Sequence, residues 1–144
     1  MSKEHLIQTG CLAFAGWLAF NAFSRSSREK IWERAGGVSE ISGFSHEALE
    51  CAHVNHDRDS GYYDDPDNGM LVTPWEHLHE PPVGHMLYKG EAVDQNGLLP
   101  NGLSPQHNNF AIRALEGRIT DRDRSQEKIR QSSFSDLLGS LFGD

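Results

Sequence analysis

Apolar residues gather in separate stretches along the chain, and the spacing within each stretch predicts a different element. Gly10–Phe20 is an apolar run of 11 residues in which Cys11, Phe14 and Leu18, with Ile7 before them, fall at helical spacing. It predicts an apolar helix over residues 5–23. Residues 26–35 read as an amphipathic helix that Gly36-Gly37 ends, as glycine commonly does just past a helix C-terminus. Leu49 to Val54 reads as a strand and Met70-Leu71-Val72 as a second, with a polar loop rich in Asp, Gly and Pro between them. Thr73-Pro74-Trp75-Glu76 starts a short helix. Threonine caps it, proline takes its first position, glutamate completes a capping box, and Pro81-Pro82 stops it.

Residues 83–103 carry Gly84, Gly90, Gly97 and Gly102 and show no period, which suits either an ordered excursion or a mobile loop. Ser104-Pro105 opens another helix with Ile112, Leu115 and Ile119 as its apolar stripe and Phe110 nearby. From Thr120 the chain is charged until Ser133. It then ends on Phe134, Leu137, Leu138, Leu141 and Phe142, which share one helical face. The fold class is α+β. The chain divides into an apolar N-terminal helix (1–25), a central domain (26–119) and a charged, then amphipathic, tail (120–144).

Charge changes the picture by its distribution. The chain has 13 Lys+Arg against 21 Asp+Glu, whereas a generic nucleic-acid binder is basic. Residues 38–81 carry one basic side chain, Arg58, and ten acidic ones, so nearly all the net charge sits there. Asp57, Asp59, Asp64 and Asp65 read either as a solvated acidic loop or as a field that suits a divalent cation. Cys11 and Cys51 lie far apart and form neither a metal spacing nor a disulfide framework. The 11-residue apolar run is shorter than the roughly 20 residues of a spanning helix, so no transmembrane segment is expected. A buried or partner-facing helix, a membrane-associated helix and a signal peptide are the readings open for it.

The chemistry concentrates where the charge does. His53 closes the first strand, Asn68 follows fifteen residues on, and His77 stands nine residues later on the capped helix. In order and spacing these residues resemble the histidine–asparagine–histidine core of the HNH endonucleases, in a zinc-less, phage-type form. Trp32-Glu-Arg-Ala-Gly-Gly37 and Glu40-Ile-Ser-Gly43 look like the opening of such domains, and Asn101-Gly-Leu-Ser-Pro-Gln106 like a C-terminal extension of some members. The resemblance covers roughly residues 26–119. It implies a ββα-metal (HNH/His-Me finger) core with flanking helices. It also implies a general base at His53, a loop-fixing and base-orienting residue at Asn68, and a metal ligand at His77. Histidine suits the first role because its unperturbed pKa lies near neutrality.

The departures from the family pattern are specific. The four positions that hold a structural zinc in many members read Ser39, Ser42, Thr73 and Glu76, so no structural zinc is expected. Packing by Ile41, Phe44, Leu49, Leu71, Val72 and Trp75 is expected to replace it. The usual ligand position before the general base is Ala52, and a further helix position is Pro81. Glu80 and His56 are the residues that could join His77 around Mg²⁺ or Mn²⁺, or Zn²⁺ or Ni²⁺; otherwise metal binding is weak and depends on bound substrate, or catalysis is lost.

Arg28, Lys30, Arg34, Arg113 and Arg118 are the candidate DNA contacts, with a solvated surface as the competing reading. The expected activity is metal-dependent hydrolysis of DNA phosphodiester bonds. The alternative is a binding or assembly protein that keeps the fold with weak or no turnover. Protein contacts or self-association would run through residues 5–23 or 134–142. The expected location is the cytoplasm, the host's if the chain is phage-encoded.

Overall fold

The computed structural model describes residues 23–46 and 48–142. The expected helix over 5–23 therefore lies outside the described residues except for Phe23. Helix α1 spans Arg25–Ala35, with Ser24 accepting from the Ser27 amide at its start and Gly36 in the left-handed conformation (φ 69°) at its end. Strands β1 (Glu50–His53) and β2 (Gly69–Val72) form an antiparallel pair in which Glu50 faces Val72 and His53 faces Gly69. Helix α2 (Pro74–His79) carries the expected capping box, with both Thr73–Glu76 bonds made. Helix α3 (Pro105–Arg118) is capped by Ser104, and α4 (Asp121–Phe142) follows after a turn. Short 3-10 turns at Arg58–Ser60, Pro66–Asn68 and His85–Tyr88 shape the loops. None of the described helices is long and apolar enough to cross a membrane.

Side chains alternate across a strand, and the two faces of the ribbon are buried differently. Leu71 joins Phe23, Ile31 and Leu49 under α1, with Cys51 against them. Ala52 and Val72 point the other way and pack on Val83. A third cluster, Leu78, Ile112 and Leu115, joins α2 to α3. The acidic loop residues act as caps: Asp57 accepts from the Asp59 amide, Asp65 from the Asp67 amide and Asp64 from the Ser24 amide. Stretch 83–103 is an ordered excursion. Val83, Leu99 and Asn101 are buried, and the Asn101 carbonyl accepts from the His56 amide at 2.7 Å.

The loop at the four vacated ligand positions is closed by hydrogen bonds as well as by the expected packing. Ser39 Oγ lies 2.6 Å from both carboxylate oxygens of Glu76, and Ser42 Oγ lies 3.1 and 3.3 Å from them. Ser39 Oγ also accepts from the Ile41 and Ser42 amides. Ser39, Thr73 and Glu76 are all buried, so these polar groups need one another. Among the packing candidates, Leu49, Leu71 and Val72 are buried, while Ile41, Phe44 and Trp75 are only half-buried.

The boundary expected after residue 119 falls in the turn before α4, yet the first half of α4 is tied to the central body. Ala48 N–H donates to His46 Nδ1, which leaves Nε2 as the proton-bearing nitrogen, and it meets Asp123 Oδ1 at 2.9 Å with both side chains buried. Arg130 pairs with Glu80 and Glu127 at 2.6 Å each. Beyond Arg130 every described residue of α4 is exposed.

Candidate active site

His53 ends β1 with its ring stacked between Phe23 (centroids 3.7 Å apart) and Tyr63 (4.1 Å). The ring donates to the Tyr63 backbone carbonyl, and Nε2 is buried without a partner. Asn68 holds this arrangement from below. Its Oδ1 accepts from the Asn55 amide at 2.9 Å, and its Nδ2 donates to the Asn55 carbonyl at 2.8 Å and the Tyr63 carbonyl at 3.1 Å. Asn68 thus ties the strand exit to the loop carbonyl that orients His53. Burial, with His77 nearby, pushes the His53 pKa down to about 4, so the ring is neutral at pH 7 with Nε2 as its lone pair. Gly69 makes room for the stack: a Cβ there would come within 2.6 Å of both Ile31 Cδ1 and Phe23 Cζ.

His53 opens onto a cleft of about 700 Å³ whose wall includes His56, His77 and His85. Four imidazoles follow one another along it. Centroids are 5.2 Å apart from His53 to His56, from His56 to His85 and from His85 to His77. His77 Nδ1 meets Glu50 Oε2 at 2.6 Å, and Arg118 reaches the same oxygen at 3.3 Å. Burial alone would raise the Glu50 pKa, but the His77 hydrogen bond, with the Arg118 guanidinium close by, outweighs it and holds it below the usual value.

His85 Nδ1 lies 2.9 Å from Asn108 Oδ1, whose amide nitrogen donates back to the His85 carbonyl at 3.0 Å. Burial pushes the His85 pKa down to about 4 and lowers that of His56 strongly. Neither ring nitrogen of His56 has a partner. Among the described residues, no three His, Cys, Asp or Glu side chains already surround one point as ligands would.

The structure brings His53, Asn68, His77 and His56 together. Glu80 is elsewhere: it caps the end of α2 and turns to Arg130, away from the cleft. Arg28 and Arg118 line the cleft and Arg25 joins them, whereas Lys30 and Arg113 are exposed outside its lining. Arg34 is structural, not a free DNA contact. Its guanidinium grips the Glu40 carboxylate at 2.7 Å through two nitrogens and donates to the Pro66 and Gly69 carbonyls. Ala52 is fully buried in the core, and Pro81 is exposed.

His85 was hidden from sequence reasoning. It sits in a stretch without period, and its partner Asn108 is on α3, twenty-three residues away. Comparison with known proteins adds no relative: no protein-family model matches the chain, nor does any curated protein or solved structure.

Proposed function

We propose that this protein is a metal-dependent endonuclease that hydrolyses DNA phosphodiester bonds, with His53 as general base. The observation that carries the reading is the state of His53. It is a neutral imidazole locked by two aromatic faces and one carbonyl, its Nε2 buried without a partner, in a side chain that lines the same cleft as Arg28 and Arg118. A phosphate drawn to the arginines would stand, with the attacking water, in the cleft that His53 lines. His53 takes the proton as that water attacks and the P–O bond to the leaving oxygen breaks. The Tyr63 carbonyl, fixed by Asn68, steadies the imidazolium that results.

His77 would hold a divalent ion. Its Nδ1–H is engaged by Glu50, which leaves Nε2 as the donor atom, and the orphaned nitrogens of His56 lie on the same wall. When bound, such an ion stabilises negative charge on the phosphate and on the leaving oxygen. The reaction would take place in the cytoplasm, that of the host if the chain is phage-encoded.

The test is nicking of supercoiled plasmid with Mg²⁺, Mn²⁺, Zn²⁺ or Ni²⁺. His53→Ala should lose about 10²- to 10⁴-fold in rate, the usual contribution of a general base, while remaining folded. Nicking at the wild-type rate by that variant would end the assignment.

A second reading, an assembly protein that keeps the fold without turnover, is favoured by the exposed apolar end of α4. Phe134, Leu137, Leu138, Leu141 and Phe142 range from 39% to 82% exposed there. Absence of nicking by the wild-type protein with every ion would leave that reading in place.

A further inference from the structure

We propose that His85 and His56, with His77, are the ligands of the ion in this cleft, and that the ion is of the zinc, nickel or cobalt type and not magnesium. The proposal rests on the reading of the cleft as an active site, and it goes further by naming ligands and ion class.

Three observations support it. The first concerns tautomers. Asn108 Oδ1 accepts from His85, and the Glu50 carboxylate accepts from His77, each at Nδ1. Both rings therefore present Nε2 as a lone pair. A ring whose second nitrogen is fixed by a carboxylate or amide oxygen is the usual supporting arrangement of a metal-bound histidine. Asn108 is itself fully engaged. It donates to the His85 carbonyl and accepts from Asn101 Nδ2 at 3.1 Å, so it cannot turn its amide and the His85 tautomer is set.

The second observation is His56. Both of its nitrogens are buried with no partner, a costly state for a polar group that a bound ion would relieve.

The third is spacing. His85 lies 5.2 Å, centroid to centroid, from His56 on one side and from His77 on the other. Two imidazoles on one tetrahedral ion, bonded at about 2.1 Å, set their centroids roughly 5 Å apart. His85 thus stands at ligand separation from each of the other two rings.

The donor chemistry selects the ion. Magnesium demands oxygen ligands in near-octahedral array, whereas imidazole suits zinc, copper, nickel and cobalt. The carboxylate nearest the rings, Glu50, is spent on His77 and Arg118, and Glu29 on the rim pairs with Arg25. Open positions on the ion would then face the cleft and a phosphate oxygen.

The experiment titrates the full chain with ZnCl₂ by calorimetry and with CoCl₂ by visible absorption, after chelator treatment, with MgCl₂ as competitor. One ion per chain is expected, undisturbed by millimolar magnesium. His85→Asn keeps an amide N–H for Asn108 while removing the ligand nitrogen, and it should weaken binding at least tenfold, as should His56→Asn. Asn108→Ala, acting through His85, should weaken it about tenfold. A His85→Asn protein that melts like wild type and binds zinc equally well overturns the proposal, as does displacement of cobalt by magnesium. If that variant fails to fold, nitrogen hyperfine coupling in the Cu²⁺-loaded wild type decides, and fewer than three coupled imidazoles overturns it. Binding without any nicking keeps this inference and ends the nuclease reading. Nicking with unchanged metal affinity in folded His85→Asn does the reverse.

Discussion

Replacing Glu76 by alanine isolates the polar cluster that closes the loop between α1 and β1. In the wild-type protein the Glu76 carboxylate receives the hydroxyls of Ser39 and Ser42 and the Thr73 amide, the last at 3.4 Å. Glu76 is 3% exposed and Ser39 is 2% exposed, so water is a poor substitute for either. Hydrogen bonds to a carboxylate contribute about 1.5–3 kcal/mol each, and a buried donor left alone costs about 1–3 kcal/mol. The Thr73 bond is long and contributes little, and Ser42 is partly exposed and can turn to solvent. The estimate is therefore one strong bond lost and one donor stranded, about 3–5 kcal/mol in all. That is a large part of the stability of an ordinary domain, typically 5–15 kcal/mol. Urea denaturation followed by circular dichroism should show the midpoint falling with the slope unchanged. Glu76→Gln should fall less, because the amide oxygen still accepts from Ser39. A loss below about 1 kcal/mol for Glu76→Ala would show that apolar packing, not this cluster, holds the loop. Chelator should not weaken this cluster, because Ser39, Ser42, Thr73 and Glu76 offer no thiolate for a structural zinc; a large fall in melting temperature on chelation would contradict it.

Acid should unfold the protein earlier than its carboxylates alone would make it. The folded pKa of His53 is about 4 and the unfolded value is about 6.5, so the stability held in its neutral ring is whole above pH 6.5 and lost as pH falls towards 4. The loss is about 2 kcal/mol by pH 5, measured as a urea midpoint in chelator, and His53→Phe, which can keep the stack, should remove that share of the pH dependence. Equal midpoints at pH 7.5 and 5 for the wild type would contradict it. Deleting residues 132–144 should shift the melting temperature by no more than a few degrees and leave nicking intact, while abolishing any self-association or partner capture seen by light scattering or pull-down. A large drop in melting temperature would place that segment in the core.

Local chemistry was legible where a short run of residues decides it. The Thr73–Glu76 cap, the Gly36 stop, the two strands and the Ser104 start follow from neighbours within a few positions, and the structure places them within a residue or so. His53, Asn68 and His77 stand out because their spacing is itself a signal, and the structure brings His53, His56 and His77 to one cleft. What escaped depends on pairs distant in the chain. Arg34 has the look of a free helix-surface cation, yet Glu40 and two carbonyls of the 66–69 turn consume it. Glu80 shares a helix with His77, but the helix ends there and an arginine fifty residues on captures it. Ser39, Ser42 and Glu76 read as vacated ligand positions, and their hydrogen-bonded closure appears only when α2 is folded against the loop. The charged run from Thr120 hid Asp123, a buried partner of His46, because one buried carboxylate among solvated ones leaves no trace in composition.

The projecting half of α4 has a mechanical consequence. Residues 131–142 extend for about 18 Å at the usual helical rise, with no proline to hinge them. A load applied near Phe142 is therefore transmitted as torque to the anchors at the helix base, His46–Asp123 and Arg130–Glu80. The second anchor grips the last residue of the α2 cap, one turn beyond His77. Whatever grips the far half of this helix thus pulls on the helix that carries a cleft histidine, through a stiff lever and not a slack tether.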